Sequence, residues 1–104
     1  MKTKTTNKTA LQITASIETS PFGSALPTLR VKAPREVHWR KVAAALHRLA
    51  AAVLEATPDA ERWCVTVDVY GDHEGRVYLE TMTGERTEAD RGLAVLNNVA
   101  KAGL

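Results

Sequence analysis

The stretch "WCVTVDVYGDHEGRVYLETM", residues 63–82, decides the fold. Trp63, Val65, Val67 and Val69 alternate with Cys64, Thr66, Asp68 and Tyr70. That is the period of two by which a strand sends successive side chains to opposite faces. "GDHEG", residues 71–75, is a five-residue turn bounded by glycines, and "RVYLETM", residues 76–82, is the returning strand. The segment reads as a β-hairpin with one apolar face. An isolated hairpin is marginal in water, so that face needs another layer packed on it.

The layer precedes it. In "HWRKVAAALHRLAAAVLE", residues 38–55, Trp39, Val42, Ala43, Leu46, Leu49, Ala50 and Val53 fall on one side of a helix. Pro34 marks its entrance and predicts a start near Arg35, because proline is tolerated in a first turn. "TPDAE", residues 57–61, stops it. Further upstream, Leu11, Ile13, Ala15 and Ile17 alternate with Gln12, Thr14, Ser16 and Glu18, giving a first strand. "SPFGSALP", residues 20–27, breaks the alternation. A second strand is expected from Thr28 to Ala33, with Pro27 at its entrance because proline cannot donate to a ladder. Downstream of the hairpin, Ala89, Leu93, Leu96, Val99 and Ala100 form the buried stripe of a last helix. Thr87 and Asp90 resemble a capping box at its start, and Gly103 ends it.

The order ββαββα predicts an α+β fold. It is a two-layer sandwich with a four-stranded, mostly antiparallel sheet and two helices on one face. The crossover through the first helix should be right-handed. A spatial strand order 2-1-3-4 keeps all neighbours antiparallel. Residues 1–9, rich in Thr and Lys and without periodicity, read as a flexible basic N-terminal tail; residues 10–104 read as one domain.

Composition narrows the class. No apolar run approaches the roughly 20 residues that span a bilayer, and no apolar stretch follows the N-terminal charges. The single Cys64 cannot form an internal disulfide. A soluble cytoplasmic chain with no membrane contact is expected. Charge divides along the chain: residues 1–56 carry nine Lys or Arg against three Asp or Glu, and residues 57–104 carry five against nine. Such asymmetry suits an electrostatic partner, or attraction between the halves of one molecule or of two copies.

Reactive constellations are absent from the spacing. The conceivable ligands or catalysts are His38, His47, His73, Cys64, Asp68 and Asp72. No metal-binding spacing links them, and His38 and His47 lie on opposite edges of the helix. Cys64 sits in mid-strand, away from any helix N-terminus that would lower its pKa. A catalytic site needs a nucleophile or acid positioned by a second group. The expectation is therefore no enzyme, no cofactor and no metal.

Two surfaces remain. On the back of the first helix, Val37, Ala44 and Ala51 recur every seven residues as a seam for self-association, flanked by Arg40, Lys41, Arg48 and Glu55. The three cations suit phosphates, although a solvated face of good helix formers is the plainer reading. On the open sheet face, a register pairing Tyr70 with Arg76, Asp68 with Tyr78, Thr66 with Glu80 and Cys64 with Met82 makes Tyr70 and Tyr78 diagonal neighbours. It sets Val69 against Val77 and Val67 against Leu79 on the inner face. Tyr70, Arg76 and Tyr78 could stack bases or anchor a protein contact. The glycine-rich signature strand of RNA-binding sheets is missing. The expected function is a small non-catalytic protein-binding module that self-associates. Bacterial and phage-borne inhibitors or regulators, with anti-CRISPR-like roles among them, are the expected kind. The alternative is nucleic-acid binding through Arg40, Lys41 and Arg48, or through Tyr70, Arg76 and Tyr78.

Overall fold

A computed structural model describes residues 11–57, 63–71, 73–81 and 84–102. The elements are β1 (Gln12–Thr19), β2 (Ala25–Lys32), α1 (Trp39–Ala56), β3 (Cys64–Tyr70), β4 (Glu74–Glu80) and α2 (Arg86–Ala102). This is the expected α+β sandwich. α1 packs on β3 and β4, α2 on β1 and β2, and the helices touch each other. The tail at 1–9, the helix stop at 58–61, Asp72, Met82 and Gly103 lie outside the described residues.

The strand order is β1-β2-β4-β3, with every pair antiparallel, and this corrects the order 2-1-3-4. Burial explains it. Leu29, Val31, Val77 and Leu79 are all fully buried, and they sit on β2 and β4. The inner-face residues Ile13 and Ala15 of β1, and Val65 and Val67 of β3, are only partly covered. The strands with the most apolar surface to hide take the middle of the sheet. Alternation is the same in all four strands, so the pattern alone could not rank them.

Local chemistry moves several boundaries. β2 begins at Ala25 and contains Pro27, which pairs with Ile17. Its ladder with β4 starts only at Thr28, so the missing proline N–H removes nothing from that pairing. α1 begins at Trp39, not near Arg35. Val37 N–H closes a turn onto the Pro34 carbonyl at 3.0 Å. His38 is the N-cap, its Nδ1 accepting from the Arg40 N–H at 3.1 Å. Val37 thus precedes the helix and is buried in the core, which removes it from the proposed seam with Ala44 and Ala51. Those two alanines are exposed. Trp39, expected inward, is 46% exposed because the first helical turn carries it clear of the core. At the other end, Thr57 donates its hydroxyl to the Val53 carbonyl at 2.7 Å, so one of the last carbonyls of α1 is paired where it is buried. α2 starts at Arg86, so Thr87 lies inside the first turn and is not the cap. Arg86 instead pairs with Asp90 at 3.1 Å along the helix. Of the expected stripe, Ala89, Leu96 and Val99 are buried, and Leu93 and Ala100 are half-buried.

The β3–β4 hairpin is tighter than the glycines suggest. Tyr70 pairs with Glu74, Asp68 with Arg76, Thr66 with Tyr78 and Cys64 with Glu80. Gly71, at φ +57, makes the turn, and Gly75 belongs to the strand opposite Val69. Relative to the expected pairing, the register moves by two residues. A two-residue shift keeps every side chain on its face, so the assignment of inner and outer residues is unchanged.

Candidate binding surface on the open sheet face

Both helices lie on one side, so the other side of the sheet carries Gln12, Thr14, Ser16 and Glu18 from β1, and Thr28, Arg30 and Lys32 from β2. β4 adds Glu74, Arg76, Tyr78 and Glu80, and β3 adds Cys64, Thr66, Asp68 and Tyr70. Registration places Arg30 directly opposite Arg76. Two guanidinium groups in that position repel unless carboxylates lie between them.

Glu18 supplies the bridge. Its two carboxylate oxygens take the Nε and Nη2 of Arg30 in a bidentate pair, and Oε1 also accepts from Arg76 Nη1 at 2.8 Å. Arg30 Nη1 reaches Glu74 at 3.2 Å, and Arg76 Nε reaches Asp68 at 3.0 Å. Glu18 lies opposite Leu26, four residues along β2 from Arg30, so its reach to Arg30 crosses Thr28. Thr28 is fully buried on a face that carries no helix, and its hydroxyl donates to the Leu26 carbonyl at 2.9 Å.

The tyrosines complete the array. The Arg76 guanidinium lies over the Tyr78 ring at 4.5 Å from its centroid. Both Arg30 and Arg76 lie 5.7 Å from the Tyr70 centroid, and the Tyr70 hydroxyl reaches Asp68 at 3.4 Å. These are cation–π distances. Hydrogen bonding from Arg30 is the largest influence on Glu18, and with the charges of both arginines it outweighs desolvation and lowers the Glu18 pKa. Burial, reinforced by the Asp68 charge, raises the Tyr70 pKa despite the two arginines.

The arrangement brings Tyr70, Arg76 and Tyr78 together, as the sequence suggested, and adds Glu18, Arg30, Asp68 and Glu74. Their signal was available: opposite charges on outward positions of four strands. It could not be used without the strand order. Arg40, Lys41 and Arg48 are on the far side of the molecule, exposed on α1 and without an ion pair among the described residues. Arg40 lies over the Trp39 ring at 5.5 Å. The charges of Arg40 and Lys41 oppose the helix dipole, since both occupy the first turn, where acidic residues are absent.

The other candidates stay apart. Cys64 is exposed and free. His73 sits in the hairpin turn with its carbonyl accepting from Ala33 N–H at 2.8 Å and its Nδ1 buried without a partner. Among the described residues, no three His, Cys, Asp or Glu are grouped so as to hold a metal, and no helix is long and apolar enough to cross a membrane. Compared with known proteins, the chain matches no family model, no curated protein and no solved structure.

Proposed function

We propose that this chain is a small, non-catalytic protein-binding module that recognises its partner with the open sheet face. The observation that carries the reading is the closed array of Glu18, Arg30, Arg76 and Asp68 around Tyr70 and Tyr78. Tyr and Arg are the residues that most often dominate protein interfaces. Here they are already held in place, so binding would lose little side-chain freedom. The same geometry disfavours nucleic acid on this face. Both arginines are neutralised by carboxylates, and a base stacking on Tyr78 would have to displace Arg76. A bacterial or phage-borne inhibitor or regulator acting in the cytoplasm is the role that such a module suits.

One observation favours a second reading. Arg40, Lys41 and Arg48 are exposed and form no ion pair among the described residues. Such cations can line up along phosphates, with affinity that falls steeply as salt rises.

Capture by a tagged chain from a bacterial lysate, with and without nuclease, separates the two. A defined protein retained after nuclease treatment is the expected result. Recovery of nucleic acid alone, or of proteins lost on nuclease treatment, contradicts it. In that second case, replacing Arg40, Lys41 and Arg48 together by Glu should abolish the retention.

A further inference from the structure

We propose that the outer side of the helix layer binds double-stranded DNA through its phosphates, without reading its sequence. Both helices take part, which widens the phosphate reading of Arg40, Lys41 and Arg48 and rests on it. The open sheet face lies on the opposite side of the molecule, so a protein held there neither requires nor excludes DNA on the helices.

Charge distinguishes the two sides. On the outward positions of the four strands, carboxylates outnumber cations four to three, and Arg30 and Arg76 are already paired. The helices reverse that balance, with six cations against three carboxylates. Asp90 pairs with Arg86, Glu88 is half-buried and engaged, and Glu55 stands near the end of α1. Arg40, Lys41, Arg48, Arg91 and Lys101 are all exposed and form no ion pair among the described residues. Between Glu36 and Glu55 the chain has no acidic residue. Five cations on one side, without carboxylates to neutralise them, are complementary to a polyanion.

Both helices present these cations in the same way. A turn of about 100° per residue from the buried Val42 puts Ala44 and Ala51 at the outward apex of α1. Arg40 lies on one side of that apex, and Lys41 and Arg48 lie on the other, roughly 10 Å apart along the axis. On α2, measured from the buried Leu96, Ala94 and Asn98 form the apex, between Lys101 and Arg91. Small apex residues let a helix approach closely, while cations on both flanks reach charge on either side of it. Two rows of phosphates with a groove between them are the surface of a duplex. The major groove of B-DNA is about 12 Å wide and admits an α-helix, whereas that of an RNA duplex is deep and narrow. Single strands are held by bases stacking on aromatic rings. Trp39 is the one Phe, Tyr or Trp in either helix; it lies about 60° around α1 from Val42, turned away from the apex, with Arg40 over its ring. Alanine at the apex has no group to hydrogen-bond a base edge, so sequence is not read.

Fluorescence anisotropy of a labelled DNA duplex of arbitrary sequence, about 20 base pairs long, tests it. The unsubstituted chain should bind with a Kd of about 1–100 µM at physiological salt, and affinity should fall several hundredfold between about 50 and 200 mM salt, as roughly five phosphate contacts require. Arg40→Ala/Lys41→Ala/Arg48→Ala should flatten the slope of log affinity against log salt by about 3, and Arg91→Ala/Lys101→Ala by about 2. All five side chains are exposed, so both variants should keep the melting temperature of the unsubstituted chain. Gln12→Glu/Thr14→Glu adds charge on the sheet side, more than a screening length of about 10 Å away, and should leave affinity within about twofold. No binding of the duplex at about 50 mM salt, an unchanged slope in both helix variants, or an equal loss in the sheet-side variant overturns the proposal. Tighter binding of the single strand, or of an RNA duplex, keeps the phosphate reading of α1 and overturns the assignment to duplex DNA. Binding to phosphatidylserine vesicles without binding to the duplex also overturns it, and gives these cations to a membrane surface.

Discussion

Replacing Gly75 by alanine is expected to lower stability by about 2–3 kcal/mol. In a domain of this size that is a fall in melting temperature of roughly 10–20 °C. Gly75 is buried in β4, directly beneath α1. A Cβ there would overlap a methyl of Leu46 and come within 2.7 Å of the Asp68 carbonyl oxygen. Leu46 is fully buried and has nowhere to retreat, and the carbonyl belongs to the backbone of the paired strand. A thermal melt of Gly75→Ala checks the loss. Pairing it with Leu46→Ala checks the cause. Leu46→Ala alone should cost about 2–5 kcal/mol by leaving a cavity. If Leu46 causes the clash, the double variant should be clearly less destabilised than the sum of the two single changes. The carbonyl contact would keep the relief incomplete.

The second large effect is at Glu18. Glu18→Gln keeps the shape but removes the charge that holds Arg30 and Arg76 side by side, and about 1–2 kcal/mol of stability should go with it. That figure is well below the cost of breaking a fully buried pair, because the Arg30 side chain is 36% exposed and that of Glu18 21%, so solvent screens them. The sign with pH follows from the lowered Glu18 pKa. The folded state holds the carboxylate ionised more strongly than the unfolded chain does, so this stabilisation is present above the ordinary value of 4.5. It is lost as pH falls from there through the folded-state value. Unfolding by denaturant at pH 7 and pH 3 should show a smaller drop on acidification in Glu18→Gln than in the unsubstituted chain. Equal drops would mean that Glu18 carries no share of the acid sensitivity.

The fold class could be read from the chain because apolar alternation in β1, β3 and β4 and the helical stripe of α1 have distinct periods. What those periods could not supply was which strands lie inside. β1 and β2 both alternate, yet β2 also hides Thr28 on its outward side, where Ser16 and Tyr78 flank it and the Glu18–Arg30 pair passes it. The start of α1 was hidden for a local reason. Residues 34–37 close a turn of their own, and the histidine cap at residue 38 is not among the strong capping residues. That one error moved Val37 from a surface seam into the core and Trp39 from the core to the surface. Tyr70, Arg76 and Tyr78 were legible as outward residues of one hairpin. Their neutralisation was not, because Glu18 comes from a strand 58 residues away from Arg76.

We propose that the open sheet face, and not the basic side of α1, holds the protein partner. The most direct test is nuclease-treated capture of bound protein by three tagged chains, compared at equal amounts of folded bait. These are the unsubstituted chain, Tyr70→Ala/Tyr78→Ala on the sheet, and the triple Glu substitution of Arg40, Lys41 and Arg48 on the helix. Loss of the retained protein in the sheet variant, with retention unchanged in the helix variant, is the expected result. Retention by the sheet variant and loss in the helix variant would contradict the claim and move recognition to α1.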